Sequence, residues 1–329
     1  MAESILRVAI VVGGPCGEHD ISLESGAEVL AHLDRDRWSP FIVRITQSGQ
    51  WCFPKGDDIH GLAEPLSLGD GLNNLLDHRP DVVFPVMHGT FGEDGRFQSL
   101  MDIAGLRYVG SGVDTSAVAM NKAMARDVLA AAGLQVPLAE VLMVGDKPTI
   151  PAPSVIKPLR MGSSVGMSIV QSEAELALAL KHAFAHDDRV LNEQFVEGRE
   201  LTAGILEDTD GSPEALPLVE IRPLHGRFFD YEAKYTPGAT EEICPARVSD
   251  EITQKVQQIA LTAHHALGCR GMSRTDLILD HAGTPWVLET NTIPGMTGTS
   301  LLPQAALTAG IDMAEMLDRM LDRSFYDRS

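Results

Sequence analysis

Near the C-terminus, Arg274-Thr275-Asp276 is followed by Trp286-Val287-Leu288-Glu289-Thr290-Asn291-Thr292-Ile293-Pro294-Gly295. Both stretches alternate like strands, and a strand points residues i and i+2 to the same face. Arg274 then shares a face with Asp276, and Glu289 with Asn291. If the two strands pair, one wall carries two carboxylates, a carboxamide and a guanidinium. Oxygen ligands of this kind suit a hard cation such as Mg²⁺, and the arginine suits a phosphate or carboxylate beside it. That chemistry belongs to a site handling nucleotide phosphates.

Lys157-Pro158-Leu159-Arg160-Met161-Gly162-Ser163-Ser164-Val165-Gly166 is the second signal. Its glycines and serines offer backbone N–H groups and hydroxyls to phosphate oxygens. It is not a Walker A loop, because no Lys-Ser/Thr follows the last glycine. The plainer reading is a Gly/Ser turn with a solvated lysine. His88-Gly89-Thr90-Phe91-Gly92-Glu93-Asp94-Gly95 follows an apolar strand, at the sheet edge where ligands bind in open α/β folds. A lone histidine in a surface turn is the competing view. Gly13-Gly14-Pro15-Cys16-Gly17-Glu18-His19-Asp20-Ile21-Ser22 lacks G-x-G-x-x-G, which weakens a dinucleotide reading. Glu18 could meet a substrate ammonium, or simply serve the helix dipole. Phe229-Asp230-Tyr231-Glu232-Ala233-Lys234-Tyr235 opens a polar stretch that could close over a nucleotide and exclude water, or be a mixed-charge surface loop.

The elements that must position these groups alternate in type. Val8 to Val12 is a continuous apolar run and reads as a strand buried on both faces. Ser25 with Glu28 has capping-box spacing for the helix that follows. Phe41 to Ile45 and Asp81 to Met87 read as further strands, so the first third predicts an open parallel α/β sheet. Residues 115–132 and 172–185 read as Ala-rich helices, with a strand at Ser154 to Lys157 between them. Residues 189–195 and 200–206 read as a strand pair around Glu197-Gly198. Strands then dominate to about residue 290, interrupted by a helix over 250–267.

A chain of 329 residues with 44% hydrophobic content can bury a sizeable core in two or three domains. A net charge of −20 argues against a broad nucleic-acid surface. Cys16, Cys52, Cys244 and Cys269 form no C-x-x-C pair, so reduced thiols in a cytoplasmic protein are expected. The N-terminus has no signal-peptide layout, and no apolar run approaches the roughly 20 residues of a membrane span.

In order and over nearly the whole chain, these segments resemble the D-alanine–D-alanine ligases of the ATP-grasp superfamily. The matching pieces are Gly13-Gly14 with Glu18 and Ser22, His88-Gly89 with Gly92 to Gly95, Lys157-Pro158 with Gly162 to Gly166, Asp230 to Tyr235, Arg274 with Asp276, and Glu289 with Asn291 through Thr297. The resemblance implies an ATP-grasp α/β fold: an N-terminal parallel α/β domain over 1–110, a central domain over 111–195 and a catalytic domain over 196–329. ATP would lie between antiparallel sheets of the last two. It implies Lys122 and Lys157 at the phosphates with the Gly162, Ser163 and Ser164 loop. Glu193, Phe195 and Val196 would meet adenine, Glu200 the ribose, and Lys234 the phosphates from the lid. Asp276, Glu289 and Asn291 would hold Mg²⁺, two ions or Mn²⁺ in its place. Arg274 would stabilise the reacting phosphoryl and tetrahedral centres. Glu18 would hold the ammonium of the first D-alanine, with Ser163 and Tyr235 tied to it and His88 nearby. The Gly295 backbone, Ser300 and Leu301 would form the second substrate pocket. A homodimer is also what the family implies. Cys16, Arg96-Phe97 and Met161 depart from common family forms.

The reaction expected from the resemblance joins two D-alanines through a D-alanyl phosphate, for peptidoglycan precursors. His88 or the Tyr235–Ser163 pair are the candidates for taking the proton of the second amine. Lys234-Tyr235 favours the dipeptide product over D-alanyl-D-lactate or D-alanyl-D-serine. Another ATP-grasp ligase, a non-catalytic nucleotide-binding regulator and a dehydrogenase are the remaining alternatives. The intact charged wall argues against the regulator, and the missing glycine fingerprint against the dehydrogenase.

Overall fold

The apolar run near the N-terminus sits at the centre of a sheet and feeds two cores at once. In the computed structural model, which describes residues 5–223 and 240–326, β1 (Leu6–Gly13) pairs in parallel with β2 (Trp38–Ile45) and β4 (Val82–Pro85). The short β3 (Trp51–Cys52) adds antiparallel at the edge, giving the order β3-β2-β1-β4. Val8, Ile10 and Val12 point into a core with Leu30 of α1 (His19–His32). Ala9 and Val11 point the other way, onto Trp51, Phe97 and Met101. The two-residue period of a strand thus requires an unbroken apolar run when both faces are covered. Each fully buried aliphatic side chain contributes about 1.5–3 kcal/mol.

The helix after β1 differs from expectation at its start. It opens at His19, with Glu18 as the preceding residue, and Ser25 lies fully buried in its middle. Ser22 N–H already donates to the Glu18 carbonyl, so the ladder begins about two turns earlier than the Ser25–Glu28 spacing implied. The Ser25 hydroxyl is used elsewhere, as described below. Helices α2 (Leu68–Asp77) and α3 (Arg96–Ile103) flank β4 in the chain.

The single helix expected over 115–132 is two: α4 (Val113–Met120) and α5 (Lys122–Ala131). Asn121 breaks them with extended backbone (φ −87°, ψ 97°), and its side chain accepts the Met124 N–H. Asparagine competes well for such a cap, which a reading of Ala and Met content does not register. A second, antiparallel sheet follows, ordered β5-β8-β6-β7, from β5 (Ala139–Met143), β6 (Ser154–Pro158), β7 (Ser168–Val170) and β8 (Arg189–Gln194). Helix α6 (Glu173–Phe184) covers it through Ala179 and Ala183.

Residues 189–195 and 200–206 are both extended, yet they do not pair. β8 stays in the second sheet, and β9 (Gly198–Glu207) enters a third. That sheet runs β12-β11-β9-β13-β14, with β10 (Pro213–Ala215) also on β9. Its other members are β11 (Val219–Pro223), β12 (Thr240–Ile243), β13 (Met272–Asp280) and β14 (Pro285–Asn291). Residues 195–197 therefore bridge two sheets instead of turning a hairpin. Local pattern specifies that a strand is extended but not which strand it meets.

Helix α7 (Asp250–Leu267), found where the sequence placed it, packs on one face of the third sheet. Val256 and Ala260 of α7 meet Leu201, Ala203, Ile205, Leu277 and Leu279. The alternate residues of β9 and β13, including Thr202, Arg274 and Asp276, consequently face the other way. Helices α8 (Leu301–Thr308) and α9 (Met313–Tyr326) complete the chain, and Met316, Leu317, Met320 and Leu321 join the core beneath β1. Among the described residues no helix is long and apolar enough to cross a membrane. The four cysteines are free.

Candidate active site

The paired strands expected from the sequence are present. β13 and β14 run antiparallel with Arg274 opposite Asn291 and Asp276 opposite Glu289, and a bulge follows Asp276. Arg274 grips Asp276 with both arms: Nε donates to Oδ1 at 2.9 Å and Nη2 to Oδ2 at 2.8 Å. Thr202 Oγ1 donates to Asp276 Oδ1 at 2.6 Å, and Asn291 Nδ2 to Oδ2 at 3.1 Å. Burial alone would pull the guanidinium pKa down, but Asp276, Glu289 and Glu93 more than offset it and hold the pKa above its ordinary value. Arg274 is thus a permanent, largely buried cation held chiefly by Asp276.

Among the described residues no three His, Cys, Asp or Glu side chains gather as a metal cluster. The candidate set relies on Asn291 for its third donor. Two carboxylates and a carboxamide on adjacent strands are oxygen donors of the kind that hard divalent cations take. The residues present therefore fit Mg²⁺ chemically.

A cavity of about 1070 Å³ opens between this wall and the second sheet. Asp276 and Glu289 line one side. Lys122, Lys157 and the Gly162-Ser163-Ser164 loop line the other. Glu193 of β8, Phe195 and Val196 of the bridge, and Glu200 of β9 line the cavity where the chain passes between the two sheets. Lys157 is buried on β6, and its Nζ donates to Glu193 Oε1 at 2.8 Å. Arg126 takes the other oxygen of Glu193 at 3.2 Å. The Glu193 carboxylate thus holds two cations, a use the sequence did not indicate. Lys122 begins α5 just after the Asn121 cap, and its Nζ donates to the Met161 carbonyl at the foot of the loop. Lys234 and Tyr235 lie outside the described residues.

A second group of residues converges from the N-terminal sheet. Ser163 Oγ, at the tip of the glycine-rich loop, donates to Glu18 Oε1 across 145 positions of chain. The Glu18 carboxylate fits only because two neighbours are glycines. A Cβ on Gly89 would stand 2.3 Å from Glu18 Oε2, and one on Gly162 at 2.8 Å. His88 is buried, with Nδ1 3.1 Å from the Ile293 carbonyl and Nε2 3.1 Å from Ser25 Oγ. A carbonyl only accepts, so Nδ1 carries the proton and Nε2 accepts from the serine. Burial is the largest influence on His88 and lowers its pKa, which keeps the ring neutral. Both of its nitrogens are committed to protein partners.

Glu93, in the glycine-rich stretch after β4, is a structural pin. Its two oxygens accept the N–H groups of Gly89 at 2.7 Å and Ile293 at 3.1 Å, tying the loop after β4 to the loop after β14. Burial, with Glu18 adding to it, pushes its pKa up to about 8. Ser25, Thr202 and Arg126 also escaped the sequence, because their partners lie far away in the chain. The glycine and acid spacing around Glu93 was the one available signal.

Gly295 and Ser300 close the same region. A Cβ on Gly295 would lie 2.6 Å from Ser300 Oγ. That hydroxyl is spent locally, on the Thr297 N–H at 3.0 Å and the Thr297 hydroxyl at 2.8 Å. Ser300 precedes Leu301 at the start of α8, where backbone N–H groups point out of the helix.

The comparisons with known proteins match this arrangement. The D-ala D-ala ligase N-terminus family model covers residues 7–111, and the D-ala D-ala ligase C-terminus model covers residues 144–322. The chain is 41% identical to the D-alanine–D-alanine ligase of Syntrophobacter fumaroxidans, over 99% of this chain and 100% of that protein. It is 38% identical to that of Halalkalibacterium halodurans, over 97% and 99%. Its fold superposes on the VanG D-Ala:D-Ser ligase of Enterococcus faecalis with a TM-score of 0.82 at 29% identity, over 98% and 100% of the two chains. It superposes equally on the D-alanine-D-alanine ligase of Coxiella burnetii, at 0.82 and 28% identity, over 97% and 94%. With both halves of the family model matched in order on one ATP-grasp scaffold, the chain belongs to the D-alanine–D-alanine ligase family.

Proposed function

We infer that this protein joins two D-alanines with ATP to give D-alanyl-D-alanine, ADP and phosphate, for peptidoglycan precursor synthesis. The observation that carries the chemistry is the Glu18–Ser163 contact, which brings an ammonium-binding carboxylate to the tip of the loop that lines the nucleotide cavity. In the first step a carboxylate oxygen of D-alanine attacks the γ-phosphorus, and the bond to ADP breaks. In the second the amine of another D-alanine attacks the acyl phosphate carbonyl, loses a proton, and expels phosphate. No protein nucleophile is needed, so the protein acts by alignment and charge.

We place adenine against Phe195, Val196 and the backbone of the bridge, since the Glu193 carboxylate is occupied with Lys157 and Arg126. Glu200 would take the ribose. Lys122, Lys157, Gly162 and Ser164 would hold the phosphates, with Lys234 from the segment before β12. Asp276, Glu289 and Asn291 would hold Mg²⁺, or Mn²⁺ in its place. Bound there, the metal would neutralise phosphate charge and orient it. Arg274 lies beside them to stabilise charge on the transferring phosphoryl and on the tetrahedral centre.

Glu18 would bind the ammonium of the first D-alanine, and Ser163 and Tyr235 would orient Glu18. His88 acts as a spacer between α1 and the Ile293 loop, because both ring nitrogens are engaged. The Tyr235–Ser163 pair is then the better candidate for handling the proton of the second amine. Ser300, Leu301 and the Gly295 backbone would receive the second carboxylate at the α8 N-terminus. The domain division at about 110 and 195, a homodimer and a cytoplasmic location complete the proposal.

Phosphate release from ATP by the purified protein, with D-alanine, L-alanine, D-serine or D-lactate as substrates, tests it. Release with D-alanine and a dipeptide product is expected. Silence with D-alanine would overturn the inference. Faster mixed-product formation with D-serine would transfer it to the D-Ala:D-Ser activity of the Enterococcus relative.

A further inference from the structure

The glycine-rich loop holds an unfavourable backbone. Ser163 and Ser164 are successive non-glycine residues with positive φ, at 48° and 57°. L-residues avoid this region, so such a conformation persists only where its surroundings over-determine it. Ser163 is tied at the tip to Glu18. The contacts at the two ends of the loop converge on one short turn, residues 186–188, between α6 and β8.

At the entry, Arg160 is clamped by Asp187. The Arg160 backbone N–H donates to Asp187 Oδ2 at 2.9 Å, its Nε to the same oxygen at 3.2 Å, and its Nη2 to Oδ1 at 2.7 Å. Oδ1 also accepts the Arg189 N–H at 3.2 Å, which fixes the carboxylate to the start of β8. Leu159 N–H donates to the Arg189 carbonyl at 3.1 Å. At the exit, Gly166 lies against the neighbouring residue: a Cβ there would stand 2.7 Å from His186 Cδ2 and 2.8 Å from Pro158 Cγ. The Asp187 side chain is 3% exposed, whereas that of Asp188, which also reaches Arg160 at 2.6 Å, is 80% exposed.

We propose that Asp187 is a positioning residue for phosphoryl transfer, which by gripping Arg160 holds the glycine-rich loop in its strained, phosphate-facing form. It touches no substrate. It acts through the loop, and so rests on the reading of that loop as the phosphate clamp. The same turn packs on Gly166, so loss of the clamp frees the entry while the exit still leans on His186. The loop then relaxes away from the left-handed serines, and the phosphates lose aligned donors.

The test measures steady-state kinetics of Asp187→Ala, Asp187→Asn, Arg160→Ala, Asp188→Ala and the Asp187→Ala/Arg160→Ala double variant, with ADP binding followed by calorimetry. Asp187→Ala should lower kcat/KM for ATP by about 10- to 100-fold and leave the KM of the second D-alanine unchanged. Asp187→Asn, which keeps an acceptor for the backbone N–H, should fall between it and wild type. The double variant should be no worse than the poorer single, since both remove one clamp. Asp188→Ala should match wild type, because an exposed pair contributes little. Unchanged ATP kinetics and ADP affinity in a folded Asp187→Ala, or in Asp187→Asn should the alanine variant not fold, would overturn the proposal. Equal losses in Asp188→Ala would do the same. Failure of the wild-type protein to bind ADP would instead remove the functional reading beneath it.

Discussion

Gly89 and Gly162 leave the space into which Glu18 places its carboxylate, and Ser163 spends its hydroxyl on that carboxylate. At the scale of single residues, then, the proposed ammonium site depends on missing atoms as much as on present ones. Ser163→Ala removes one hydrogen bond to a charged acceptor, a contribution of about 1.5–3 kcal/mol. The KM of the first D-alanine should rise about tenfold or more, with nucleotide affinity little changed; equal KM values would show that Glu18 does not need the serine. Glu289→Gln keeps shape and removes a charge from the candidate metal wall. Turnover should nearly vanish while circular dichroism and melting stay as in wild type. Near-normal turnover at low Mg²⁺ would sink the metal assignment.

Among the elements, the third sheet carries a buried charge network whose members do not line the cavity. Glu207 at the end of β9 accepts from His264 Nε2 of α7 at 2.9 Å and from Arg323 Nε of α9 at 2.5 Å, and His264 Nδ1 meets Ser273 Oγ at 2.8 Å. Two helices are thereby joined to the two central strands. Burial works against the Glu207 carboxylate, but hydrogen bonds from His264 and the Gly271 N–H, with Arg323, leave its pKa below the ordinary value. A carboxylate depressed in the folded state stabilises above its unfolded pKa of 4.5 and loses that contribution as pH falls through the lower folded value. Glu207→Ala should lower stability by about 3–5 kcal/mol at pH 7, because it removes the carboxylate from a buried ion pair. The deficit should shrink in acid. Urea melts at pH 7 and pH 3 check both points, and a pH-independent deficit would exclude the ionic account.

For the molecule as a whole, the cavity proposed for the nucleotide belongs to no single sheet. Asp276 and Glu289 come from one side, Lys122 and Lys157 from the other. A ligand that bridges them binds only the assembled form. ADP with Mg²⁺ at about a hundred times its Kd should therefore stabilise the protein by about 2.7 kcal/mol. Scanning calorimetry should show the melting temperature rising with nucleotide, and a chelator should reverse most of the rise. A chelator-insensitive shift would separate nucleotide binding from the proposed metal wall.

The sequence by itself determined what each segment could do. Alternation placed Arg274 with Asp276 and Glu289 with Asn291 on common faces, because side-chain direction in a strand follows from local geometry alone. The unbroken Val8–Val12 run announced a doubly covered strand for the same reason. The residues proposed for the nucleotide between Lys122 and Glu200 all line one cavity, and the sequence named them through the family resemblance. What the sequence left open was set by contacts between distant segments. β8 and β9 are both extended, and only the tertiary structure decided that they join different sheets. Ser25 resembles a helix cap locally, yet His88, 63 positions later, takes its hydroxyl. Glu93 pins Ile293 from 200 positions away, and Glu193 holds Lys157 from 36. Local geometry is written in neighbouring residues, whereas the partner of a buried polar group is chosen only when the chain has closed around it.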